Sequence, residues 1–139
     1  KVAVVCGILS GTLASLTGIF VLCMLFGFNH KQYVTMLPKS ITTAIGIGIS
    51  EELGGIVTIT VAVIIITGIL GNVIADTVFH IFKIKNPLAK GLALGTASHA
   101  IGTARAIEMG PVEGAMSSLA VAVAGLLTVV FVSGFAQLI

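Results

Sequence analysis

The sequence predicts an all-α integral membrane protein with three transmembrane helices and two re-entrant helical hairpins of inverted orientation. Three observations carry this. The chain is 57% hydrophobic and only 9% charged, whereas soluble domains carry ~25% charged residues. A chain of 139 residues has too small an interior to hide that much apolar surface, and a bilayer does it instead. Three long runs, Val2–Phe26, Ile56–Ala75 and Gly114–Ile139, hold no charge at all, while two other apolar stretches, Met36–Gly54 and Pro87–Gly110, carry polar residues and glycines in their middles.

The same composition excludes other classes. A net charge of +2 with no basic run and no Trp leaves nothing to hold nucleic acid. Asp76 is the sole Asp, so an intramembrane aspartyl dyad cannot form within the chain. There is no Gly-x-Ser-Gly, His-Glu-x-x-His, paired-Cys or P-loop pattern, and the chain reads as a non-enzyme without metal or cofactor. Cys6 and Cys23 read as small buried apolar residues of the first run. The chain begins with Lys rather than Met, as a fragment or processed product would. Its first run is too long for a signal peptide and no small-residue cleavage site follows.

Taken in order, residues 2–26 predict the first transmembrane helix, since a span needs about 20 apolar residues. Gly7, Ser10, Gly11, Ala14, Ser15 and Gly18 recur on it at helical spacing, and small residues let a neighbouring helix come close. Gly27–Gln32 reads as a polar turn. Residues 36–54 predict the first hairpin: Pro38 opens it, Ser40, Thr42, Thr43, Gly46, Gly48 and Ser50 punctuate it, and Glu51 and Glu52 close it. Its alternating Ile and Gly would suit a strand in water, but an open strand edge is not allowed in lipid. The tip is expected near Thr42–Ala44. Residues 56–79 predict the second span, with Asp76 and His80 as a solvated pair at its end. Lys83–Pro87 forms a basic loop, and Pro87 suits a first helical turn. Residues 87–110 predict the second hairpin, its tip near Ser98–Gly102, and 112–139 the third span.

The two irregular stretches match at an offset of 56, with five identities in the 11 residues from Ala44. Ala44-Ile45-Gly46 falls on Ala100-Ile101-Gly102, and Glu52 falls on Glu108. With one span between them, two hairpins enter from opposite faces, as in carriers whose broken helices meet at mid-membrane. The competing drawing has each stretch crossing once as a kinked helix, giving five spans. In the hairpin drawing, Lys1, Lys83, Lys85 and Lys90 share one face and Lys31 and Lys39 the other, which puts the Lys1 face in the cytoplasm.

A half-helix that starts inside the membrane aims free N–H groups and a positive dipole end at whatever sits there. Ser40, Thr42 and Thr43 at one tip, and Ser98 and Thr103 at the other, add hydroxyls. His99 can donate, accept or carry a proton, and Arg105 can fork onto a carboxylate. This set suits a small carboxylate anion, moved with a proton or sodium ion. The structural alternatives are hydroxyls bonded to their own helix and Arg105 paired to Glu108 three residues on.

Pro38-Lys-Ser-Ile-Thr-Thr, Thr67-Gly-Ile-Leu-Gly, Glu113-Gly-Ala-Met-Ser-Ser and above all Gly91-Leu-Ala-Leu-Gly-Thr-Ala-Ser-His-Ala-Ile-Gly-Thr-Ala-Arg resemble the LrgB/CidB family of bacterial inner-membrane proteins. The resemblance runs from about Leu37 to the C-terminus and implies the C-terminal part of a longer, transporter-like fold. The family usually has Pro where Ala44 stands here. The resemblance implies two functions. One is a secondary carrier of small monocarboxylates of the pyruvate, glycolate or glycerate class, as in the plastid glycolate/glycerate relative. The other is a holin- or antiholin-like protein that modulates murein hydrolase activity and lysis with a small LrgA/CidA-type membrane partner. The tips favour the carrier, and a fixed scaffold for moving hairpins implies a homo-oligomer.

Overall fold

The structure, a computed structural model, describes all residues 1–139 and is all-helical. Its helices are α1 (Val2–Phe26), α2 (His30–Met36), α3 (Thr43–Glu52), α4 (Val57–Ile81), α5 (Pro87–Met109) and α6 (Pro111–Ala136). Helices α1, α4 and α6 are long and apolar enough to cross a membrane. They match the three charge-free runs because, in lipid, a helix satisfies every backbone group within itself, whatever its β-branched content.

Helix α5 is not one rod. At His99 the backbone leaves helical geometry (φ 43°, ψ −133°) and the chain folds back. In a straight helix Leu94 and Ala106 would lie ~18 Å apart; here they share one buried cluster with Ala75 and Phe79. A methyl built on Gly102 would sit 2.7 Å from the Leu94 carbonyl oxygen, so only glycine allows the two arms to close. Both arms lean on the start of α6. Gly91 and Gly95 pack against the carbonyls of Glu113 and Ser117, and Ile107 packs on Gly114. The turn lies against the middle of α4, with Ser98 on Gly71 and His99 on Gly68. The two halves of this stretch therefore touch, as those of a straight helix would not.

The first irregular stretch differs from expectation in its boundaries. Helix α2 starts at His30, inside the expected polar turn. Asn29 accepts from the Gln32 N–H at 2.9 Å while the Gln32 side chain accepts from the Asn29 N–H at 3.0 Å, a reciprocal cap that nucleates the turn. Pro38 does not open a helix but lies buried in the Leu37–Thr42 turn, and α3 runs unbroken through Gly46 and Gly48. The turn between α2 and α3 is therefore Leu37–Thr42, earlier than the expected tip at Thr42–Ala44. Its arms sit by the start of α4 and the end of α6. Thr60 Oγ donates to the Thr35 carbonyl and contacts Ser50 Oγ, both at 2.8 Å. Tyr33, fully buried, donates to the Phe135 carbonyl at 2.8 Å.

The largest core joins Leu16, Ile19 and Cys23 of α1 to Tyr33, Val34, Leu37, Ile41 and Ile49, with Val132 and Ala136 of α6. Cys23 is buried as expected, but Cys6 is exposed, because it points away from α5 and α6. Small residues set the closest approaches of α1: Gly7 meets Leu92 and Gly11 meets Thr96. Lipid tails compete equally for apolar surface, so such close packing carries much of the helix association.

Candidate functional site

The turn Leu37–Thr42 and the first arm of α5 come together beside α1. Between them lies a cleft of about 770 Å³ lined by Gly7, Gly11 and Ser15 of α1, by Lys39 and Ser40, and by Thr96. Ala3 and Ala89, at the starts of α1 and α5, mark its outer end. Beyond Ser40 the space narrows to about 10 Å³ among Leu16, Leu37, Ile41, Ala124 and Thr128, barely one water. The cleft is thus blind at the inner end.

Lys39 dominates this place, and the sequence reading put it at an interface instead. Its side chain is half-buried, and its Nζ donates to Ser40 Oγ at 2.8 Å and lies 3.5 Å from Ser15 Oγ. No carboxylate reaches it: both ion pairs in the structure belong to Arg105. Burying an ammonium is costly unless a counter-charge and hydrogen bonds compensate, and here only the hydroxyls are supplied. The Ser40 hydroxyl, accepting from Lys39, keeps its own proton to donate. Thr96 donates to the Leu92 carbonyl at 2.8 Å and retains acceptor capacity.

The other expected residues fall around the cleft rather than in it. Ser40 alone of that set lines it. Thr42 is the residue before the first turn of α3, and its side chain does not cap that helix; Thr43 is its first residue. Ser98 is buried against Gly71. His99 is buried, with Nε2 2.9 Å from the Ile64 carbonyl. A carbonyl only accepts, so Nε2 carries the proton and Nδ1 is left as the free acceptor. Thr103 donates to the His99 carbonyl at 2.9 Å and meets Ser117 Oγ at 2.8 Å, holding the turn closed. Arg105 pairs with Asp76 and, at 2.7 Å, with Glu108. Asp76 therefore faces Arg105, not His80, as its partner. The signal that would have found Lys39 is its place between Pro38 and Ser40 in a stretch read as membrane-embedded.

Comparison with known proteins places the chain. The family model described as LrgB-like family matches residues 1–138. The Bacillus subtilis (strain 168) protein named antiholin-like protein LrgB is 40% identical over 98% of this chain and 59% of its own length. Its namesake from Bacillus cereus (strain B4264) is 42% identical over 92% of this chain and 56% of its own length. The chain thus spans less than three-fifths of the length of these relatives. No solved structure matches it. With a family match along nearly its whole length and three helices fit to cross a membrane, the chain belongs to the LrgB-like family of bacterial membrane proteins.

Proposed function

We propose that this chain serves an antiholin-like role through a small-anion site: it holds a monocarboxylate at Lys39, between the tips of two re-entrant hairpins. The relatives' names speak for the antiholin-like role rather than for transport, and that role is taken over from them. The molecular activity beneath it rests on one observation. A half-buried ammonium bonded to Ser40, with no carboxylate partner, stands at the inner end of a cleft. A bound carboxylate would supply the missing charge, accepting from Lys39 Nζ and the Ser40 hydroxyl.

The hairpin reading is supported by the contacts. One turn approaches the middle of α4 from the α4 start, the other from the α4 end, as Thr60 with Thr35 and Arg105 with Asp76 indicate. The offset of 56 carries α3, from Thr43, onto the half-helix that follows His99. An inverted pair of this kind suits alternating access, the Leu37–Thr42 turn shifting against α1 to open the blind end. Thr42, Thr43, Ser98, His99 and Thr103 shape the tips, with the free Nδ1 of His99 the group to accept a coupling proton; sodium is the other candidate ion. A small LrgA/CidA-type membrane partner and self-association complete the reading.

Uptake of labelled pyruvate, glycolate and a neutral sugar into vesicles holding the protein, with and without its small partner, tests it. Saturable uptake of the acids, lost in Lys39→Met, is expected. Passage of all three solutes without saturation and only with the partner would replace the carboxylate site by a pore.

A further inference from the structure

A second cationic site lies at the far end of α4, and we infer that it binds the phosphodiester headgroup of an anionic lipid. The inference needs only that α4 spans a bilayer and is independent of the carboxylate site. A cavity of about 570 Å³ is lined by His80, Lys83, Lys85 and Lys90 over Phe79 and Ile84. Asp76 is the one acid at its edge, and Arg105 already engages it. None of the three lysines forms an ion pair. Lys90 holds its Nζ 5.8 Å from the Phe79 ring centroid, a cation over an aromatic face.

Lys83 gives the independent observation. It has a φ of 55°, the left-handed conformation that follows a helix C-terminus and normally belongs to glycine. The chain shows the ordinary solution at the end of α1. Gly27 adopts φ 66° there, and the Phe28 N–H closes on the Cys23 carbonyl at 2.9 Å. At the end of α4 the Ile84 N–H closes on the Phe79 carbonyl in the same way, at 2.9 Å. There a lysine occupies the glycine position. The only other non-glycine residue with positive φ is His99. Strained residues persist where they do something, and what Lys83 adds over glycine is an ammonium at the cavity rim.

The position chooses the ligand. The cavity sits where an apolar 25-residue helix ends, at headgroup depth. Exposed Ile69 and Val73, on the same face of α4 as Asp76 and His80, offer the adjoining acyl chain an apolar track. Basic pockets beside spanning helices hold anionic headgroups in this manner. A soluble phosphate would find the same ammonium groups but no use for that track.

The test is native mass spectrometry of the protein extracted from vesicles of equal phosphatidylglycerol and phosphatidylcholine. Preferential retention of phosphatidylglycerol is expected, weakened roughly fivefold by Lys83→Gly or by Lys90→Gln. Lys31→Gln, at the other end of the molecule, should leave it unchanged. Because glycine fits the conformation, Lys83→Gly should also unfold no earlier than the parent in lipid-free detergent, which separates lost binding from lost structure. Equal retention of both lipids, retention unmoved by both variants, or an equal loss in Lys31→Gln would overturn the site. Displacement of the lipid by millimolar inorganic phosphate would reassign it to a soluble ligand.

Discussion

Replacing His99 by Ala and, separately, by Gly reads the backbone of α5 directly. Both variants lose the same imidazole, its bond to Ile64 and its contact with Gly68, so the difference between them isolates the main chain. In a continuous helix Gly is the worse of the two by about 1 kcal/mol. At φ 43°, ψ −133°, Ala pays about 1–3 kcal/mol of strain that Gly does not. The greater freedom of Gly in the unfolded chain takes back ~0.4–1 kcal/mol. The net expectation is that His99→Gly exceeds His99→Ala by about 1 kcal/mol, the reverse of the helical order, with both below the parent. Unfolding in detergent can be followed with a thiol-reactive dye at buried Cys23, after exposed Cys6 is changed to Ser. If the Ala variant equals or exceeds the Gly variant, the chain does not fold back at His99.

Other perturbations separate structural from functional groups. Thr60→Val leaves the Thr35 carbonyl without its donor and Ser50 Oγ without its partner in a fully buried place and should cost about 1–2 kcal/mol in the same unfolding assay. Gly95→Ala should destabilise by about 1–3 kcal/mol, since the new methyl meets the Ser117 carbonyl of the α6 backbone, which cannot step aside. Gly46→Ala, whose methyl meets closely only the flexible tip of Ile64, should be tolerated, with expression and the gel-filtration profile unchanged. Arg105→Gln breaks an exposed pair with Asp76 and Glu108 and should leave carboxylate uptake intact; loss of uptake would return Arg105 to the substrate set.

The long helices were legible because lipid imposes a crude code: a charge-free run of sufficient length has no alternative to the helix. The break in α5 was legible too, since Gly95, Gly102 and the polar residues between them had no reason to interrupt a simple span. The start of α2 was written in Asn29 and Gln32 as a reciprocal cap, and charge at Lys31 disguised it as a loop. Three other features could not be read locally. Lys39 was counted with Lys31 on one membrane face. Its compensation comes partly from Ser15, distant in sequence. The Arg105–Asp76 pair likewise spans two helices. Cys6 and Cys23 look alike in sequence, and only the packing of α1 decides that one is exposed.

Interrupting a helix frees backbone groups that lipid will not solvate, and this decides which polar residues are available for a ligand. At the second turn Thr103 takes the His99 carbonyl and His99 takes that of Ile64. At the first, Thr60 takes the Thr35 carbonyl and Thr35 Oγ accepts the Ile56 N–H at 2.9 Å. No side-chain nitrogen or oxygen fully cut off from the surface is left without a partner. Of the hydroxyls that made the two stretches look like a binding site, Thr103 is engaged in closing its turn and Ser40 in holding Lys39, and a ligand would have to break the Thr103 bond to use that group. Lys39 is different in kind. Its hydrogen bonds go to hydroxyls, which satisfy geometry but leave its charge unmatched, and it faces the open side of the cleft. Lys39→Met should thus separate the two roles: anion uptake lost, with the unfolding midpoint held or raised, because an apolar chain of similar length needs no counter-charge there. A fall in both together would mean that Lys39 closes the turn as Thr103 does, and that the anion, if there is one, binds elsewhere.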